Sequence, residues 1–97
     1  MKQFLLLYKG PATPPEASHE GWPQWFQKLG EHFVDRGGPM SHGYSLHGDG
    51  STDNRATPLN GYSIIQAAEK EEALRLLQDH PYLSFGNEYT VEMFDLG

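Results

Sequence analysis

Two short apolar runs decide how this chain folds: Lys2-Gln3-Phe4-Leu5-Leu6-Leu7-Tyr8 near the start and Gly61-Tyr62-Ser63-Ile64-Ile65-Gln66 beyond the middle. Each is β-compatible and too short for a typical helix. In the first run both alternating sets are apolar, Phe4, Leu6 and Tyr8 on one side and Leu5 and Leu7 on the other. A strand that is apolar on both sides needs cover on both faces, which places it centrally in a sheet.

The segments around these runs supply the other elements. Thr13-Pro14-Pro15-Glu16 reads as a helix start, with Thr13 as cap, Pro14 at the first helical position and Glu16 completing a capping box. Trp22, Trp25, Phe26, Leu29 and Phe33 then fall within an arc of roughly 100° on a helical wheel, and Gln24, Gln27, Lys28, Glu31 and Asp35 fill the opposite side. Gly21 and Pro23 predict an early kink or a short helix before a longer one, and Gly37 is the expected terminating residue. Residues 39–47 predict a weak second strand with Met40, His42, Tyr44 and Leu46 on one face, followed by a long polar loop over 47–59. Residues 69–80 predict a second helix with Ala73, Leu76 and Leu77 as its stripe and an acidic first turn. Residues 88–95 alternate as a last strand.

This β-α-β-β-α-β order predicts one α+β domain over residues 1–97 with a ferredoxin-like plan. Its four-stranded antiparallel sheet carries two helices on one face, and the first and third strands form the central pair.

Composition narrows the function. Seven basic and thirteen acidic residues give a net charge of −6, which argues against a nucleic-acid partner and against docking on anionic membrane. The absence of cysteine removes disulfides, thiolate metal sites and cysteine nucleophiles. The early apolar run is too short for a signal peptide or a membrane span, so a cytoplasmic protein is expected.

The chain resembles the YCII-related proteins, including their DGPF-type branch. The resemblance lies in the opening Met1-Lys2-Gln3-Phe4-Leu5-Leu6-Leu7-Tyr8, the first helix centred on Trp25, and four segments in order in the C-terminal half. These are Gly61-Tyr62-Ser63-Ile64-Ile65-Gln66, Glu72-Ala73-Leu74, Asp79-His80-Pro81-Tyr82-Leu83 and Tyr89-Thr90-Val91-Glu92. The resemblance covers most of the chain outside residues 48–60. It implies a ferredoxin-like protomer in a dimeric α/β barrel, with the sheets of two protomers packed together, hence a homodimer. Two features depart from the family pattern. Trp25 or Phe26 stands where some members carry a helix-one histidine that acts with an aspartate. Ala56-Thr57-Pro58-Leu59-Asn60 stands where the Asp-Gly-Pro-Phe signature is expected.

The five histidines are the acid–base candidates. His42 or His47 is the candidate base, with Asp49, two residues from His47, as the group that orients it. A strand-end histidine beside a turn aspartate accounts for the same residues structurally. His19 and His32 flank the aromatic stripe, as pocket borders or as boundary residues with solvated tips. His80 reads as a helix C-terminal residue that favours the dipole. His19, Trp22, Trp25, Tyr44, Tyr62 and Ser63 are the expected ligand contacts, with packing as their alternative role. No metal site is expected, because His19-Glu20 lacks a second histidine and the calcium-like run from Asp49 lacks its glycine and its last carboxylate. No cofactor is expected either. The reading is thus a homodimeric domain that binds a small organic molecule between helix one and the sheet. Any catalysis would be cofactor-free acid–base chemistry of isomerase, lyase or hydrolase type. The alternative is a non-catalytic binding or assembly module.

Overall fold

In the computed structural model, which describes residues 1–11, 22–40, 42–54, 59–78 and 80–96, the opening run forms strand β1 (Lys2–Lys9). It lies between two antiparallel partners, β5 (Leu59–Ala67) and β6 (Thr90–Leu96). Strand β2 (Phe33–Pro39) pairs antiparallel with the other side of β5. The strand order β2-β5-β1-β6 makes the two apolar runs the central pair. With helices α1 (Trp22–Leu29) and α2 (Lys70–Leu77) the fold is α+β, with the strand order of the ferredoxin-like plan.

Alternation along β1 and β5 sorts the core. Phe4, Leu6 and Tyr8 stand opposite Ile65, Ser63 and Gly61 and are buried. They share one core with Trp25 and Leu29 of α1 and Ala73 and Leu77 of α2, so both helices cover the same face. On the other face Leu5, Leu7, Tyr62 and Ile64 are only half-buried. There Phe94 and Leu96, paired with Leu5 and Gln3, stay 47% and 38% exposed.

The second strand is not where the pattern placed it. Helix one does not run on to Gly37. Gly30, at φ +48°, ends α1, and after a single 3-10 turn (Gly30–His32) the backbone is extended at Phe33. His32 Nδ1–H donates to the Gln66 carbonyl at 2.9 Å and Gln66 Nε2 donates to the Glu31 carbonyl at 2.9 Å, tying the turn to β5. Phe33 still packs on Trp25 and Phe26, at 5.1 and 5.2 Å between ring centroids, but from a strand. A helix residue one turn on and a strand residue after a tight turn bury the same side chain, which is why the wheel did not separate them.

Of the expected strand over 39–47, Pro39 ends β2 and, among the other described residues, only β3 (Ser45–Leu46) is a strand. It forms a separate hairpin with β4 (Thr52–Asp53), inside the segment read as loop. Helix α2 is shorter than expected. Glu72 accepts a hydrogen bond from the Ala68 backbone N–H at 3.1 Å and holds its start. The expected helix start at Thr13-Pro14-Pro15-Glu16 lies outside the described residues.

Gly37 is a bulge residue of β2 rather than a helix terminator. Its φ is +76°, and a Cβ there would lie 1.7 Å from the Tyr62 carbonyl oxygen. Both the conformation and the close approach of β2 to β5 need glycine. Gly37→Ala is expected to destabilise the domain by about 2–4 kcal/mol, read as a lower denaturant midpoint at unchanged m-value; unchanged stability would mean that β2 does not approach β5 this closely.

Candidate functional site

A cavity of about 620 Å³ opens between α1 and the sheet. The rings of Trp22 and Phe26, with Pro23, form its helical wall. Tyr8 and Ser63 contribute from the central strands, residues 36–39 from the edge strand, and Asn60 and Tyr82 from the end where β5 begins. Gly61 stands opposite Tyr8 in the register. A Cβ there would press on the Tyr8 ring at 3.2 Å and on the Gly38 carbonyl oxygen at 3.0 Å. The missing side chain leaves the Tyr8 ring room where β5 meets the edge strand.

The polar groups beneath the cavity form a chain of hydrogen bonds whose direction can be worked out. The Tyr82 backbone N–H donates to His80 Nδ1 at 3.1 Å, so this nitrogen carries a lone pair. In a neutral ring the proton is then on Nε2, which donates to Tyr8 Oη at 3.1 Å. Ser63 Oγ donates to the Arg36 carbonyl at 2.8 Å. Its lone pair therefore receives the Tyr8 hydroxyl proton across 2.7 Å. The chain starts after α2 and crosses β1 and β5 to end on a carbonyl of β2. Asn60 Nδ2 ties the far end, donating to the Pro11 carbonyl and to Tyr82 Oη, each at 2.8 Å.

Aromatic rings surround His80. Its ring centroid lies 3.8 Å from Trp25, 4.9 Å from Tyr8 and 5.0 Å from Trp22. The residue is 2% exposed. Desolvation disfavours the imidazolium and pulls the His80 pKa down to about 3. Burial pushes Tyr8 up to about 12, against the opposing effect of its bond to Ser63. Both groups are uncharged at neutral pH.

The sequence-predicted residues divide. Trp22, Tyr62 and Ser63 line the cavity, although alternation along β5 puts Tyr62 on the same sheet face as Leu7. Trp25 is buried behind the wall at 3% exposure, and its Nε1 has no acceptor among the described residues. Tyr44 is 71% exposed and does not line the cavity. Its ring packs edge-on against His42 at 4.9 Å. His42 is exposed and lies outside the cavity. His47 does not pair with Asp49. Its Nε2 meets Asp53 Oδ2 at 2.7 Å across the β3–β4 hairpin. Asp49 instead accepts from the backbone N–H and hydroxyl of Ser51 at 2.9 and 2.6 Å, which lower its pKa. Residue spacing alone favoured the nearer aspartate; the hairpin brings the farther one across. His19 lies outside the described residues.

Sequence reading missed His80 as a site residue. It is not a helix C-terminal residue but the extended cap of a 3-10 turn (Pro81–Phe85), with φ −62° and ψ 128°. Pro81 was the available signal, because a residue before proline is pushed out of the helical region. Arg36 and Asn60 were missed as well.

Among the described residues no helix is long and apolar enough to cross a membrane, and no cluster of three or more His, Asp or Glu side chains is placed to hold a metal ion. Comparison of the chain with family models, curated proteins and solved structures gives no significant match.

The His80 shift has a consequence for stability. Its folded pKa of about 3 lies below the unfolded 6.5, so between these values the unfolded chain binds more protons. The stabilisation from neutral His80 is complete above pH 6.5 and is lost as pH falls toward 3. The loss is expected to reach roughly 3 kcal/mol by about pH 4. Denaturant unfolding of wild type and His80→Gln at stepped pH checks this. The variant should be less stable at neutral pH and have the shallower acid limb; parallel curves would show that His80 is not held neutral.

Proposed function

We propose that this chain is a YCII-like domain that binds a small organic molecule in the cavity between α1 and the sheet, and that it works as a homodimer. The observation that carries the binding reading is the cavity itself. Its volume of about 620 Å³ falls within the range of small-ligand sites, which are mostly apolar with a few placed polar groups. Trp22, Phe26, Pro23 and the Tyr8 ring supply the apolar wall. The polar groups beneath are hydrogen-bonded to one another, so the ring positions are fixed before a ligand arrives. Preorganisation of this kind lowers the cost of binding.

The geometry favours binding over the acid–base chemistry expected of His42, His47 and Asp49, none of which lines the cavity. The histidine that does lie beneath it, His80, is held neutral with both ring nitrogens occupied.

A screen of small aromatic and alicyclic metabolites by thermal shift tests the binding reading. A ligand at ten times its Kd adds about 1.4 kcal/mol, which raises Tm by roughly 5–10 °C in a domain of this size. The same ligand should quench tryptophan fluorescence, and Trp22→Ala should abolish the shift. A screen without stabilising compounds, or hits indifferent to Trp22→Ala, would sink the reading.

The homodimer is supported by the sheet face away from the helices. Leu5, Leu7 and Ile64 are half-buried there and Phe94 is exposed. A second copy of the same face would cover them, as the resemblance to dimeric α/β barrels implies. Sedimentation should give a mass of about twice 10.9 kDa at micromolar concentration. Leu7→Lys should give a folded monomer, since the helix-side core is untouched. A monomeric wild type would remove the dimer from the proposal.

A further inference from the structure

We infer that the cavity is built for an organic anion, a molecule with a ring-sized apolar body and one carboxylate, and that Arg36 is the residue that receives its charge. This rests on the reading of the cavity as a ligand site and names the class of ligand.

Among the described residues that line the cavity, Arg36 is the only charged one, and none of them is an aspartate or glutamate. Its guanidinium carbon lies 5.4 Å from the centroid of the Phe26 ring, which forms part of the wall. A cation–π contact at this distance holds the guanidinium near the wall without using up its N–H donors. No ion pair between Arg36 and a carboxylate occurs among the described residues, where the pairs are Lys9 with Glu92 and His47 with Asp53. In a chain with thirteen acidic and seven basic residues, a cation beside an apolar cavity with no carboxylate among the described lining residues is suited to a ligand's charge.

The hydrogen-bond chain beneath the cavity sharpens the point, because the donors of Ser63, Tyr8 and Asn60 are already used. The Ser63 hydroxyl proton goes to the Arg36 carbonyl, and the Tyr8 hydroxyl proton goes to Ser63. The Asn60 amide is committed to the Pro11 carbonyl and Tyr82 Oη. The guanidinium is the charged donor among the described lining residues. A ligand that fits must therefore bring an acceptor, and a carboxylate matches the two-pronged geometry of arginine. The Trp22 and Phe26 rings would hold its apolar body.

The test uses the full chain and two matched pairs of probes, benzoate with benzamide and 3-phenylpropanoate with 3-phenylpropanamide, titrated in Tris chloride. Tryptophan fluorescence and Tm are followed for wild type, Arg36→Gln and Arg36→Lys. Wild type should bind each acid roughly tenfold more tightly than its amide. Arg36→Gln should lose that preference while still binding the amides, and Arg36→Lys should restore part of it. Amides that bind as tightly as the acids would overturn the anion assignment and leave the cavity reading standing. A preference for acids that survives in Arg36→Gln would overturn the role of Arg36. If neither member of either pair perturbs the tryptophans or Tm, the anion assignment falls, and the cavity reading is then judged by the wider screen.

Discussion

A neutral imidazole packed 3.8 Å from the Trp25 ring fixes how the helix layer sits on the sheet. His80 accepts from the chain just after it and donates to Tyr8 on β1. Tyr8 donates to Ser63 on β5, and Ser63 donates to the backbone of β2. One hydrogen-bond chain thus links three neighbouring strands to the segment that follows α2. A buried donor or acceptor left without a partner costs about 1–3 kcal/mol, so each member constrains the next. Loss of one bond strands at least one other group in an apolar setting. The cavity follows from the same constraint. The Tyr8 ring is held among His80, Trp22 and Tyr82, and the glycines at 37, 38 and 61 put no side chain into the space beside it.

The two faces of the sheet solve the burial problem differently. On the helix face, Phe4, Leu6 and Ile65 are at most 1% exposed and sit under both helices. On the other face the same strands present Leu5, Leu7 and Ile64, which are only half-buried. Period-two alternation makes this unavoidable. A run of five apolar residues from Phe4 to Tyr8 cannot direct all of its side chains to one side. A small domain has little apolar surface with which to offset chain entropy, so Leu5 and Leu7, only half-buried, leave part of the strand's hydrophobic contribution unused.

The central strand pair and both helices were legible because their signals were doubled. Apolar residues on both faces of β1 and β5 specify the middle of a sheet, and the aromatic stripe of α1 specifies which side it packs on. The edge strand was not legible. Phe33 fits the helical stripe as well as it fits a strand after the 3-10 turn, and only the positive φ of Gly30 and the pairing with β5 decide between them. Within the site, Trp22 and Ser63 were readable from their places on an amphipathic helix and a buried strand face. His42, His47 and Asp49 attracted attention because they are close in sequence, yet the hairpin pairs His47 with Asp53. Arg36 could not be read at all. On a helical wheel it is one more polar residue, and it becomes a cavity residue only once residues 33–39 are a strand lying beside α1.

The electrostatics of the site follow from its burial. His80 would charge only near pH 3 and Tyr8 only near pH 12. From mildly acid to mildly alkaline conditions the hydrogen bonds beneath the cavity therefore keep one direction. A solvated histidine in the place of His80 would titrate within that range and reverse the sense of its donor and acceptor. Packing the imidazole among Trp22, Trp25 and Tyr8 removes that switch. The aromatic residues thus do two things at once: they form the apolar wall, and by excluding water from His80 they hold constant the polar framework on which that wall is positioned.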